Sequence, residues 1–159
     1  MSQHYIERRS DLKKRIRDKT YSDYGISLHR YKELKEFCLQ YDEKKSKINR
    51  ELSGVSCDGM PKGTGKHDGL ENNAMRNAIY DTDCKMIEHA AIASARDVTP
   101  DFHKFILKAV TNDLSYDYVM WLEDAGQIPV GKTDFYAYRR LFYHFLDRLK
   151  SGDKSMLLP

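Results

Sequence analysis

Five residues near the carboxyl-terminal end, Lys132, Thr133, Tyr136, Arg139 and Arg140, carry the donors that a nucleic-acid reader needs. Lysine and arginine can pair with phosphates or guanine edges, and threonine and tyrosine can meet the backbone or a thymine methyl. The spacing predicts a long helix that starts at Gly131, with Asp134 in its first turn favoured by the helix dipole. Phe135, Tyr138, Phe142, Phe145 and Leu149 step by three or four and are expected to face a core, leaving the five donors and Tyr143 on the opposite side. A major groove admits one helix, which touches bases mainly through its first two turns. From 128 to 150 five cations stand against two acids. The same pattern also describes the solvated face of an ordinary amphipathic helix, so the residues alone leave both readings open.

Other chemistry finds less support. The stretch "SCDGMPKGTGKHDG", residues 56–69, is rich in glycine and lysine. A phosphate-binding loop after Gly59 needs glycine at position 64, where Thr64 stands, and a hydroxyl after Lys66, where His67 stands. It therefore reads as a connector between two helices. Asp81 and Asp83 point to different faces of a helix, and Glu88-His89 lacks the second histidine of a zinc-protease helix. His29, His67, His103 and His144 share no ligand spacing. No catalytic residue, metal ligand or cofactor is predicted, and an enzyme is not expected.

The elements that would carry the donors are helical. With 40% hydrophobic and 32% charged residues, the 159-residue chain can build one core beneath an extensive charged surface. Leu34, Cys38, Tyr41, Lys45, Ile48 and Leu52 alternate steps of four and three, predicting one helix over 28–53. Asp68 with Glu71 fits a capping box opening a second long helix, whose seam is Met75, Ile79, Thr82, Met86, Ala90 and Ala93. The two are expected to pair as an antiparallel hairpin. Thr99 as N-cap and Pro100 at the first helical position predict a third helix. Ser115 predicts a short helix over 116–125, ended by Ala125-Gly126, and Pro129 predicts an extended connector before Gly131.

The expected fold is thus all-α: a basic arm over 1–27, a helical hairpin over 28–97 with its loop at 54–68, a helix-turn-helix module over 98–150 and a tail over 151–159. In the arm, Arg8, Arg9, Lys13, Lys14, Arg15 and Arg17 are candidate phosphate contacts, with a solvated terminus as the equal alternative. Cys38, Cys57 and Cys84 are odd in number and widely spaced, pointing to reduced thiols in a cytoplasm. The basic start has no apolar run behind it, and no window approaches the ~18 apolar residues of a membrane span, so neither a signal peptide nor membrane association is expected.

The connector "DGMPKGTGKHD" and the tail "LSYDYVMWLEDAGQIPVGKTDFYAYRRLFYHFLDRL" together resemble the ArpU- and RinA-like regulators encoded by phages and prophages of Gram-positive bacteria. The "IP…FY.YRR.FY..L" spacing is the strongest part, and the resemblance covers about residues 30–150. The stretch "LEDAGQIPVG" departs from it by lacking the "A..L..S" signature of sigma-like modules. The resemblance implies a sigma-like helix-turn-helix protein that reads duplex DNA and activates late phage genes in the bacterial cytoplasm. Lys132, Thr133, Tyr136, Arg139 and Arg140 would lie on its reading helix. Host RNA polymerase is a candidate partner, and a homo-oligomer, at its simplest a dimer, is expected. The alternative is a phage adaptor that grips a host protein through the hairpin and binds no DNA.

Overall fold

A computed structural model describes residues 16–53, 68–122 and 128–153, and every regular element among them is helical. The expected interhelical loop, the arm residues Arg8 to Arg15, the Ala125-Gly126 stop and the last six residues lie outside the described residues. So do the side chains of the capping pair Asp68 and Glu71.

Helix α1, Leu28–Leu39, begins at Ser27, whose Oγ accepts the amide of Arg30 at 3.2 Å, and it buries Leu34 and Cys38. The single helix expected over 28–53 is two. The first breaks at Gln40, and α2, Tyr41–Ser53, restarts with the Gln40 carbonyl accepting the Lys44 amide at 3.0 Å. The break keeps Tyr41 buried beside the α1 stripe while α2 turns onto the next helix.

That helix is α3, Asp68–Ala95, of 28 residues and so about 42 Å long at 1.5 Å per residue. Lys44 pairs with Asp83 at 2.7 Å, the Tyr41 hydroxyl donates to Glu88 at 2.5 Å, and Lys47 lies over the Tyr80 ring. Positions rise along α2 as they fall along α3, so the two run antiparallel. The seam expected on α3 is corrected. Its buried line is Cys84, Ile87, Ala90, Ala91, Ser94 and Ala95, roughly a third of a turn away at 100° per residue. Of the expected seam only Ala90 is fully buried; Met75 is 69% and Ile79 55% exposed.

Helix α4, Phe102–Thr111, starts two residues later than Thr99-Pro100 predicted. Those residues form a turn in which the Thr99 carbonyl accepts the Phe102 amide at 3.1 Å, and the side chain of the N-cap Asp101 pairs with Lys104 at 2.7 Å without capping an amide. After Asp113, a non-glycine residue at φ 51°, comes the short α5, Tyr116–Leu122, capped by Ser115 Oγ on the Tyr118 amide at 3.3 Å.

Helix α6, Lys132–Lys150, is the axis of the fold. Phe135, Tyr138 and Phe142 lie in the buried cluster, α6 packs along α3, and Phe102 of α4 meets Phe135 and Tyr138 edge-on at 6.4 and 5.2 Å. On its other side Tyr143 is enclosed by Tyr21 and Tyr31, with ring centroids at 6.1 and 5.0 Å. Arg30 to Asp147 at 2.5 Å and Lys150 to Glu33 at 3.1 Å tie α1 along it. The expected one-sided burial of α6 is therefore corrected, since Arg139 and Tyr143 are interior residues. The buried residues from Ile16 to Leu149 form one cluster, so the expected boundary at 97/98 does not separate two cores. Residues 16–27 belong to that core through Ile16, Tyr21, Tyr24 and Ile26.

His144 adds a pH dependence. It stacks on Tyr24 at 4.8 Å, and burial first, then Arg148 and Lys19, hold its imidazole below the usual histidine range. The folded chain then binds this proton less tightly than the unfolded chain. Stability is complete above the ordinary histidine pKa of about 6.5 and declines as pH falls through and below it. Thermal melts should show Tm dropping between about pH 7 and pH 5.5, and His144→Gln should flatten that drop.

Candidate nucleic-acid interface

The exposed start of α6 is built by local packing. Gly131 is the N-cap, extended at φ −73° and ψ 166°, and its carbonyl accepts the Phe135 amide at 2.9 Å. Ile128 and Val130 are buried on either side of Pro129, which anchors the approach to the helix. The Tyr116 hydroxyl donates to the Val130 carbonyl at 3.2 Å, and the Tyr136 hydroxyl accepts the Tyr116 amide at 3.3 Å. Together these bonds fix the first turn of α6 against the first turn of α5.

Of the five predicted donors the structure brings three to the surface near this turn. Lys132 and Thr133 are exposed, and Tyr136 is half-buried between them and α5. Lys132 pairs with Asp117 of α5 at 2.5 Å, and both partners are exposed. An exposed pair of this kind contributes little stability and can be exchanged for a phosphate at small cost.

Arg140 and Arg139 have other duties. Arg140 is half-buried and its Nη2 donates to the Arg17 carbonyl at 3.0 Å, tethering the amino-terminal segment to the helix. Arg17 itself grips Asp134 with two bonds, Nε to Oδ1 and Nη2 to Oδ2, the latter at 2.9 Å. Asp134, expected merely to face the helix dipole, is buried under this clamp. The sequence separation of 117 between the partners leaves no local signal for it.

Arg139 is only 8% exposed. Its Nη1 donates to the Leu114 carbonyl and its Nη2 to Asp113, each at 2.9 Å, and its guanidinium lies against the Tyr143 hydroxyl. Lys35 also binds Asp113 at 2.7 Å; Lys35 first, then Arg139, holds that carboxyl below the usual range. This is a structural node that fixes the α4–α5 turn against α6. Arg139 is thus corrected from a base-reading candidate to an interior cation.

Sequence periodicity also missed what stands on α5 one turn beyond Asp117, the partner of Lys132. Trp121 is 73% exposed on α5, with Tyr118 beside it at 5.7 Å and Leu122 also exposed. The signal available in the sequence was Tyr118, Trp121 and Leu122 around the single buried Val119.

Nucleophilic chemistry is disfavoured where thiols are described. Burial pushes Cys38 up to about 12 and raises Cys84, so both are inert at neutral pH. Among the described residues no cluster of His, Cys, Asp or Glu is placed to hold a metal ion, and no helix is long and apolar enough to cross a membrane. No family model matches the sequence, and no curated protein or solved structure matches it either.

Proposed function

We propose that the protein is a DNA-binding transcriptional regulator of the late-gene type that its carboxyl-terminal stretch resembles. It meets duplex DNA with the start of α6. The observation that carries this reading is the division of α6 into an enclosed shaft and an open first turn. Lys132 and Thr133 are exposed there, and the basic amino-terminal segment is rooted on the same turns by Arg17–Asp134 and Arg140. A helix end of this kind fits a major groove while cations on the adjoining segment meet phosphates. The contact set becomes Lys132, Thr133 and the edge of Tyr136, with Arg140 acting as the arm's anchor. Activation of late genes and contact with host RNA polymerase belong to the same proposal.

The test is fluorescence anisotropy against pooled fragments of the source genome at two salt concentrations. Binding should prefer one fragment and weaken by about 0.9 log unit per log unit of salt for each phosphate neutralised. Lys132→Glu should weaken it on every fragment and reduce that slope by about one. Salt-independent binding, or equal affinity of Lys132→Glu and the native chain, would contradict the proposal. The second reading, an adaptor that grips a host protein through α2 and α3, draws on the exposed apolar residues of α3; it predicts no DNA binding at either salt.

A further inference from the structure

We propose that Asp117, on the first turn of α5, is a base-reading residue that accepts the exocyclic amine of a cytosine in the major groove. The inference deepens the DNA-binding reading above and rests on it. Asp117 stands at the same surface as the start of α6: Lys132 Nζ donates to its Oδ2 at 2.5 Å, and the two side chains are 56% and 67% exposed. The backbone around Asp117 is held on both sides. The Tyr116 amide donates to the Tyr136 hydroxyl at 3.3 Å, the Tyr116 hydroxyl to the Val130 carbonyl at 3.2 Å, and the Tyr118 amide to Ser115 Oγ at 3.3 Å. This backbone is in place before any ligand arrives, so binding costs little ordering entropy there.

The chemistry of a carboxylate selects what it meets. It only accepts hydrogen bonds, and without a counter-charge it would be repelled by DNA phosphates. Lys132 supplies that counter-charge. The single bond between them leaves lone pairs on the carboxylate and donors on the ammonium. Asp117 can therefore keep Lys132 and still accept from a base, while Lys132 still donates to a phosphate. In the major groove the donors are the amines of cytosine N4 and adenine N6. Beside the adenine amine lies N7, an acceptor that a carboxylate opposes and that an asparagine amide would satisfy. The cytosine edge carries no such acceptor of its own, which makes cytosine the matched base.

The test is fluorescence anisotropy of the full chain on its preferred fragment, with each base pair of the bound stretch changed in turn. For the native chain, replacing one C·G pair should cost at least about fivefold in affinity through loss of this contact. Asp117→Ala should flatten that position and keep the ranking at the others, and Asp117→Asn should shift the preference there toward adenine. Asp117 is exposed, so both variants should keep the native circular dichroism and melting curve. Salt-sensitive native binding whose base-pair profile Asp117→Ala leaves unchanged, or lowers evenly at every position, overturns this inference alone. An Asp117→Asn chain that still prefers cytosine, or flattening at an A·T pair, overturns the assignment to cytosine. A native chain that binds no fragment at either salt overturns the DNA-binding reading itself, and this inference with it.

Discussion

Replacing Phe102 with alanine is expected to lower the unfolding free energy by about 3–5 kcal/mol, the largest stability effect anticipated for a single side chain here. Phe102 is fully buried at the start of α4 and meets Phe135 and Tyr138 of α6 edge-on. Truncation removes its apolar burial and both aromatic contacts. It also leaves a cavity that the neighbours fill poorly, since Ile106 and Val110 on the same helix are already packed. A domain of this size has about 5–15 kcal/mol in total, so the variant should melt far below the native chain. Urea denaturation followed by circular dichroism gives the value. An unfolding free energy within about 1 kcal/mol of the native chain's would mean that α4 is not seated on α6 as described.

The second large effect concerns Arg139. Arg139→Ala should cost about 2–4 kcal/mol of stability, because a buried cation and three interactions disappear together. The Leu114 carbonyl loses its donor, Asp113 keeps only Lys35, and the space beside Tyr143 empties. Arg139→Lys should recover only part of this, since a single ammonium cannot span the carbonyl and the carboxylate as a planar guanidinium does. The neighbouring Arg140→Ala removes one exposed hydrogen bond to the Arg17 carbonyl and should cost about 1 kcal/mol or less. Chemical denaturation of the three variants checks the ranking. A stable Arg139→Ala chain that has lost DNA binding would return Arg139 to the DNA contact.

These two sites also mark what could be read from the residues. The helical class, the Leu34–Cys38–Tyr41 stripe and the Ser115 cap follow from local periodicity and capping chemistry, and the structure carries each of them. Local periodicity failed where a helix has two usable stripes. On α3 the stripe of Met75, Ile79 and Met86 suggested the core, yet the line through Cys84, Ile87, Ala91 and Ser94 is buried. The reason lies outside α3: the aromatic α6 packs along it and selects which stripe is buried.

The candidate interface failed in a different way. Arg139 and Tyr143 look solvent-facing in a helical projection of α6 because the groups that cover them, Tyr21 and Tyr31, come from more than 100 residues earlier. The Arg17–Asp134 clamp is equally remote in sequence. Lys132 and Thr133 were legible because exposure at a helix start needs no distant partner.

The central claim is that duplex DNA meets the start of α6 and the segment rooted on it. Amide chemical-shift mapping of the full chain, titrated with the fragment it prefers, tests that claim most directly. The account predicts the strongest shifts at Gly131, Lys132, Thr133 and Tyr136, extending to Arg17, and fading as salt is raised. Shifts confined to the outward stripe of α3, or none at saturating fragment, would contradict it.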